Sequence, residues 1–149
     1  MMPPQQDISK DRLLRASQRN SLRITLQVFE ERLRAAREWL DGRQESGSLY
    51  ERKLDLPLRN RKRAERQIQK ALQVIDQLRE RFDLEVELEN AASILRSEMS
   101  VSWANLLDVR AQRLGRYGKV HPDLSRLLDP AIDELAEIAR GLAVDLEEP

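Results

Sequence analysis

Residues 22–40, LRITLQVFEERLRAAREWL, place Leu22, Leu26, Phe29, Leu33, Ala36 and Leu40 at alternating steps of four and three. That spacing returns an apolar side chain to one face of a 3.6-residue helix at every turn, so the stretch predicts a long amphipathic helix with a heptad seam. Upstream, Asp7 or Ser9 offers a cap, and downstream Gly42 offers the left-handed residue that ends such helices. Helix 1 is thus expected over about 9–41, behind a flexible segment 1–8.

The seam recurs. Ala64, Ile68, Ala71, Ile75, Leu78 and Phe82 repeat the four-three spacing, and Pro57 suits a first helical turn, which predicts helix 2 over 57–82. Between them DGRQESGSLYERKLDLP carries two glycines and reads as a connection with one short helical turn near Tyr50. Helix 3 is expected over 85–114, with Leu88, Ala92, Leu95 and Met99 on one face. Trp103, Leu106, Arg110 and Leu114 continue it after an extra step of four, which loosens any supercoil locally. A last helix spans 122–146 or, with Asp129 as cap and Pro130 at its first position, 130–146; the second division is preferred, leaving 122–128 as a separate turn.

Composition supports an all-α class. Ala, Leu, Glu, Lys and Arg make up 78 of the 149 residues, whereas Val, Ile and Thr number only 15 and aromatics 4%. Straight-chain residues lose little rotamer freedom in helices, and the side chains that fit a pleated sheet are scarce. The expected architecture is therefore an antiparallel four-helix bundle without sheet, one domain over 9–147. Its common core would hold Leu26, Phe29, Leu33, Ile68, Ile75, Leu78, Leu95, Leu106, Ile132, Leu135 and Leu142.

The absence of cysteine excludes disulfides and thiolate metal sites. No stretch approaches the ~20 apolar residues that a membrane helix needs, so a cytoplasmic protein without a membrane partner is expected. Net charge is zero but unevenly laid out: residues 1–75 carry 17 Lys/Arg against 10 Asp/Glu, and residues 76–149 reverse that excess.

One end of the expected bundle breaks a local rule. Helix 2 opens LRNRKRAER, so Arg59, Arg61, Lys62, Arg63 and Arg66 occupy first turns where the helix dipole disfavours cations. The end of helix 3 adds Arg110, Arg113 and Arg116 with Tyr117 and His121. Segments 42–63 and 110–123 are thereby the candidate contact surface, and these ten residues the candidate anion- or partner-binding group. The competing expectation is that Glu38, Asp41, Glu45, Asp123, Asp129, Asp133 and Glu134 neutralise those cations within the chain.

No catalytic, metal, cofactor or nucleotide motif is present. One histidine without cysteine gives neither a triad base nor a Glu-x-x-His pair, and His121 before Pro122 reads as a turn or cap residue. Glu85 and Glu89 form a single helical pair and DPAIDELAE reads as an acidic first turn, so a metal-dependent helical hydrolase is disfavoured. Trp103, beside the seam, reads as core. The expected function is a non-enzymatic interaction or assembly module that pairs with protein, a second copy first. A nucleic-acid-associated accessory protein using the basic start of helix 2 is the alternative.

Overall fold

The computed structural model describes residues 13–147, so the segment 1–8 and the expected helix residues 9–12 lie outside the described residues. The chain is mostly helical: α1 (Ala16–Leu40), β1 (Gln44–Ser46), β2 (Glu51–Lys53), α2 (Leu58–Arg81), α3 (Ala91–Leu107), α4 (Ala111–Leu114), a 3-10 turn (Gly115–Tyr117) and α5 (Leu124–Asp145). Two compact units divide it, Met1–Val86 and Glu87–Pro149. No helix among the described residues is long and apolar enough to cross a membrane.

In the first unit α1 and α2 pack antiparallel. Leu33 and Leu40 of α1 are buried with Ile68, Leu72 and Ile75 of α2, and Leu26, Ala36, Leu54, Ala64 and Ala71 pack against them. Arg37 Nη2 donates to Gln69 Oε1 at 3.0 Å. Core residues lie mainly N-terminal to this crossing on α1 and mainly C-terminal to it on α2, as antiparallel helices require. Both helices stop by the same device. Arg43 N–H bonds Glu38 O and Gly42 N–H bonds Trp39 O, with Gly42 at φ 103°; Leu84 N–H bonds Arg79 O and Asp83 N–H bonds Glu80 O, with Asp83 at φ 52°. These are paired Schellman bonds, in which a left-handed residue lets two amides turn back to the last carbonyls. Leu84 is buried just beyond the second stop.

The connection is not helical near Tyr50, and the expectation of no sheet is corrected. Strands β1 and β2 form an antiparallel hairpin in register Gln44↔Lys53, Glu45↔Arg52 and Ser46↔Glu51, and Gly47 N–H donates to Tyr50 O at 2.9 Å. Composition hid it because its pairing is by charge rather than by β-branched side chains: Glu45 and Arg52 face each other across the strands, 3.3 Å apart.

In the second unit α3 packs along α5. Ile132, Ala136 and Ala139 of α5 are buried, and small residues there let two helices approach closely. Helix 3 is corrected at both ends. It starts at Ala91, because Asn90 Oδ1 accepts from Ala92 N–H at 3.0 Å as a side-chain cap, and residues 85–90 are not helical. Leu88, expected on its apolar face, is 99% exposed. The chain leaves α3 after Leu107 and restarts as α4 at Ala111, whereas the extra step of four, Met99 to Trp103, lies inside α3, which runs through it unbroken. The last helix is also corrected: 124–145 is continuous, with Pro130 inside it rather than at its start.

The single common core is corrected as well. Leu33, Ile68, Ile75 and Ile132 are buried, but Phe29 stays 48%, Leu95 44%, Leu135 49% and Leu142 43% exposed. A helix pair covers one face of each partner, so a wide apolar stripe keeps an open edge. No large side chain is buried below 2% exposure among the described residues.

Candidate functional site

The ten expected site residues fall in different units, and each group has its own geometry. In the first unit Arg59, Lys62, Arg63 and Arg66 are exposed on α2. None of the four makes a side-chain hydrogen bond or ion pair among the described residues. Arg61 differs. It is half-buried and its Nη2 donates to Leu54 O at 3.2 Å, tying the hairpin's exit to the first turn of α2.

Two of the acids expected to neutralise these cations, Glu38 and Glu45, are engaged with other arginines. Glu38 pairs with Arg43 at 2.6 Å, and Glu45 pairs with Arg43 at 2.5 Å and with Arg52 at 3.3 Å. Those two arginines also stack on aromatic faces, Arg43 5.3 Å from the Trp39 centroid and Arg52 4.6 Å from that of Tyr50. Such contacts hold exposed guanidinium groups and rings in fixed mutual positions. The tip of the first unit is thus a closed network of two arginines, two acids and two rings, which leaves the α2 cations without partners.

In the second unit Arg110 lies between two carboxylates of α5. Its Nη2 is 3.7 Å from Asp129 Oδ2 and donates to Asp133 Oδ2 at 3.2 Å, while its Nε lies 2.9 Å from Asp133 Oδ1 as an ion pair without hydrogen-bond alignment. Arg110 is therefore a structural clasp. Arg116 stacks 4.9 Å over Tyr117, whose ring is 77% exposed, and Arg113 makes no ion pair among the described residues. His121 Nδ1 accepts from Asp123 N–H at 3.1 Å, which places it as a turn residue before α5. Trp103 keeps 37% of its surface exposed, more than a core residue does.

The sequence pattern missed an apolar surface on α5. Leu127, Leu135, Ile138 and Leu142 are 68%, 49%, 52% and 43% exposed, and with Ala131 they succeed one another at steps of four, four, three and four. They form one line on a face adjacent to the one that α3 covers. The signal was present, since apolar residues at both 132/136/139 and 131/135/138 mark a helix with two contact faces.

Among the described residues no three His, Cys, Asp or Glu side chains come together as a metal site. Comparison of the chain with family models, with curated proteins and with solved structures gave no match.

Proposed function

We propose that the protein is a non-enzymatic helical assembly module that works as a homodimer, with the open face of α5 as its contact. The observation that carries this reading is the line Leu127–Ala131–Leu135–Ile138–Leu142, whose four large side chains leave between 43% and 68% of their surface in water. A contiguous apolar patch on a helix of this length is the kind of surface that marks a protein contact. As the centre of an interface with a polar rim, it fits the roughly 800 Å² per partner of a standard dimer.

Charge supports a second copy as the partner. The first unit carries 19 Lys/Arg against 14 Asp/Glu and the second 7 against 12, so each copy bears both members of a complementary pair. Reciprocal pairing of basic and acidic units steers two copies together without a third component. Four-helix packing of the heptad stripes is then completed by helices of two chains.

The test is the double variant Leu135→Gln and Ile138→Gln. Both positions are solvent-facing within one chain, so the helix content is expected to persist while the protein elutes at a smaller size than the parent in gel filtration. Unchanged elution of a folded variant would overturn the assignment of this face.

A further inference from the structure

The cations of α2 extend beyond the first turns. Helical spacing sets Arg59, Lys62, Arg63, Arg66, Lys70 and Arg81 within one arc directly opposite Ile68, Leu72 and Ile75, the buried face of the same helix. Gln73 and Gln77 lie in the arc between them, and all eight residues are exposed. Of the acids of α2, Glu65 and Asp76 lie on the flank, and Glu80 shares the margin of the arc with Lys62. At 1.5 Å per residue the row from Arg59 to Arg81 is about 33 Å long. Among the described residues none of the six cations has an ion-pair or side-chain hydrogen-bond partner.

We infer that this face of α2 binds the phosphodiester backbone of a nucleic-acid duplex. The face holds only one large apolar residue, Val74 at its edge, and no aromatic residue. Protein interfaces draw their energy from buried aromatic and aliphatic anchors and are depleted in lysine at their centre, so an acidic protein surface would find little to hold here. A polyanion needs none of those anchors. Each Lys or Arg that meets a phosphate releases a condensed counterion, and the gain grows with the number of such contacts along the row. Glutamines between the cations add amide donors for phosphate and sugar oxygens, which position a duplex without reading its sequence. A helix ~10–12 Å across with five cations on one face over its first three turns also matches the ~12 Å width of the DNA major groove, whereas the deep, narrow major groove of RNA excludes it. The contact is independent of the α5 face and does not require pairing of chains.

The experiment is fluorescence anisotropy of the full-length protein with a short labelled DNA duplex of scrambled sequence, the matching RNA duplex, and polyglutamate, from about 50 to about 200 mM salt. Duplex binding is expected, with log affinity falling against log salt at a slope of about −4 to −5, a loss of several hundred-fold over that range. The variant Arg59→Gln, Arg63→Gln, Arg66→Gln, Lys70→Gln is expected to make the slope shallower by about 3 to 4, whereas Arg113→Gln with Arg116→Gln leaves it unchanged. The two duplex arms identify the source of the backbone, tighter binding of DNA placing the helix in the major groove. Failure of the parent to bind either duplex, retention of slope and affinity by the quadruple variant, or binding of polyglutamate in preference to both duplexes would overturn the inference. All four replaced side chains project from the surface, and circular dichroism checks that the variant is folded.

Discussion

The carboxylate of Asp129 accepts a hydrogen bond from the backbone N–H of Ala111 at 2.8 Å, so a residue inside α5 caps the helix α4 that precedes it in the chain. The same carboxylate lies 3.7 Å from Arg110, and its side chain is only 18% exposed. Asp129 also stands immediately before Pro130, where the helical conformation is disfavoured and one helix hydrogen bond is lost. Its two contacts, together with the burial of Ile132 two residues beyond Pro130, offset that cost and keep α5 continuous.

Asp129→Ala is accordingly expected to cost about 1–2 kcal/mol, the range for a lost cap, while Arg110→Ala costs less than about 1 kcal/mol because its guanidinium is half in water. Urea denaturation of the two variants checks the order. Equal losses would mean that the ion pair, not the cap, holds α4.

The cap at Ala111 shows what the sequence pattern could and could not carry. Asp129 was legible as a capping residue, but local rules assign a cap to the helix that follows it, and here a contact eighteen positions back in the chain took the side chain instead. Asn90, by contrast, caps its own helix, yet the acids of EVELE, which suit the positive end of a helix dipole, placed the expected start six residues too early. The seams of α1 and α2 were legible because heptads are local, and so was Gly42. Which of two apolar stripes on α5 would be covered was not, since burial depends on how many neighbours a helix has. The basic start of α2 stood out from dipole chemistry alone, but whether Glu38 and Glu45 would neutralise it depended on their geometry with Arg43 and Arg52.

The two left-handed residues predict opposite effects. Gly42 at φ 103° has open space where a Cβ would stand, so Gly42→Ala acts only through backbone strain and is expected to cost roughly 1 kcal/mol. Asp83 at φ 52° occupies the position where glycine is preferred, so Asp83→Gly is expected to stabilise by a few tenths to about 1 kcal/mol. Thermal unfolding of both variants checks the pair of signs.

Gly47 is held for space rather than for φ. A Cβ there would lie 2.8 Å from the Tyr50 ring, so Gly47→Ala forces the ring away and disturbs its stacking with Arg52. The ring-proton NMR shifts of Tyr50 are expected to change in the variant; unaltered shifts would mean that the ring does not rest on Gly47.

Within the first unit Leu33→Ala is expected to cost about 2–4 kcal/mol, as truncation of a buried leucine does, and Phe29→Ala distinctly less despite its larger ring. Leu33 is 9% exposed and Phe29 48%. Urea midpoints reversing this order would place Phe29, not Leu33, at the α1–α2 contact.

The most direct test of assembly through a second copy is sedimentation equilibrium of the parent protein across a concentration series. A mass that rises with concentration toward twice the 17.4 kDa of one chain is expected. A single species of one-chain mass at every concentration, up to the highest at which the protein stays in solution, would contradict it.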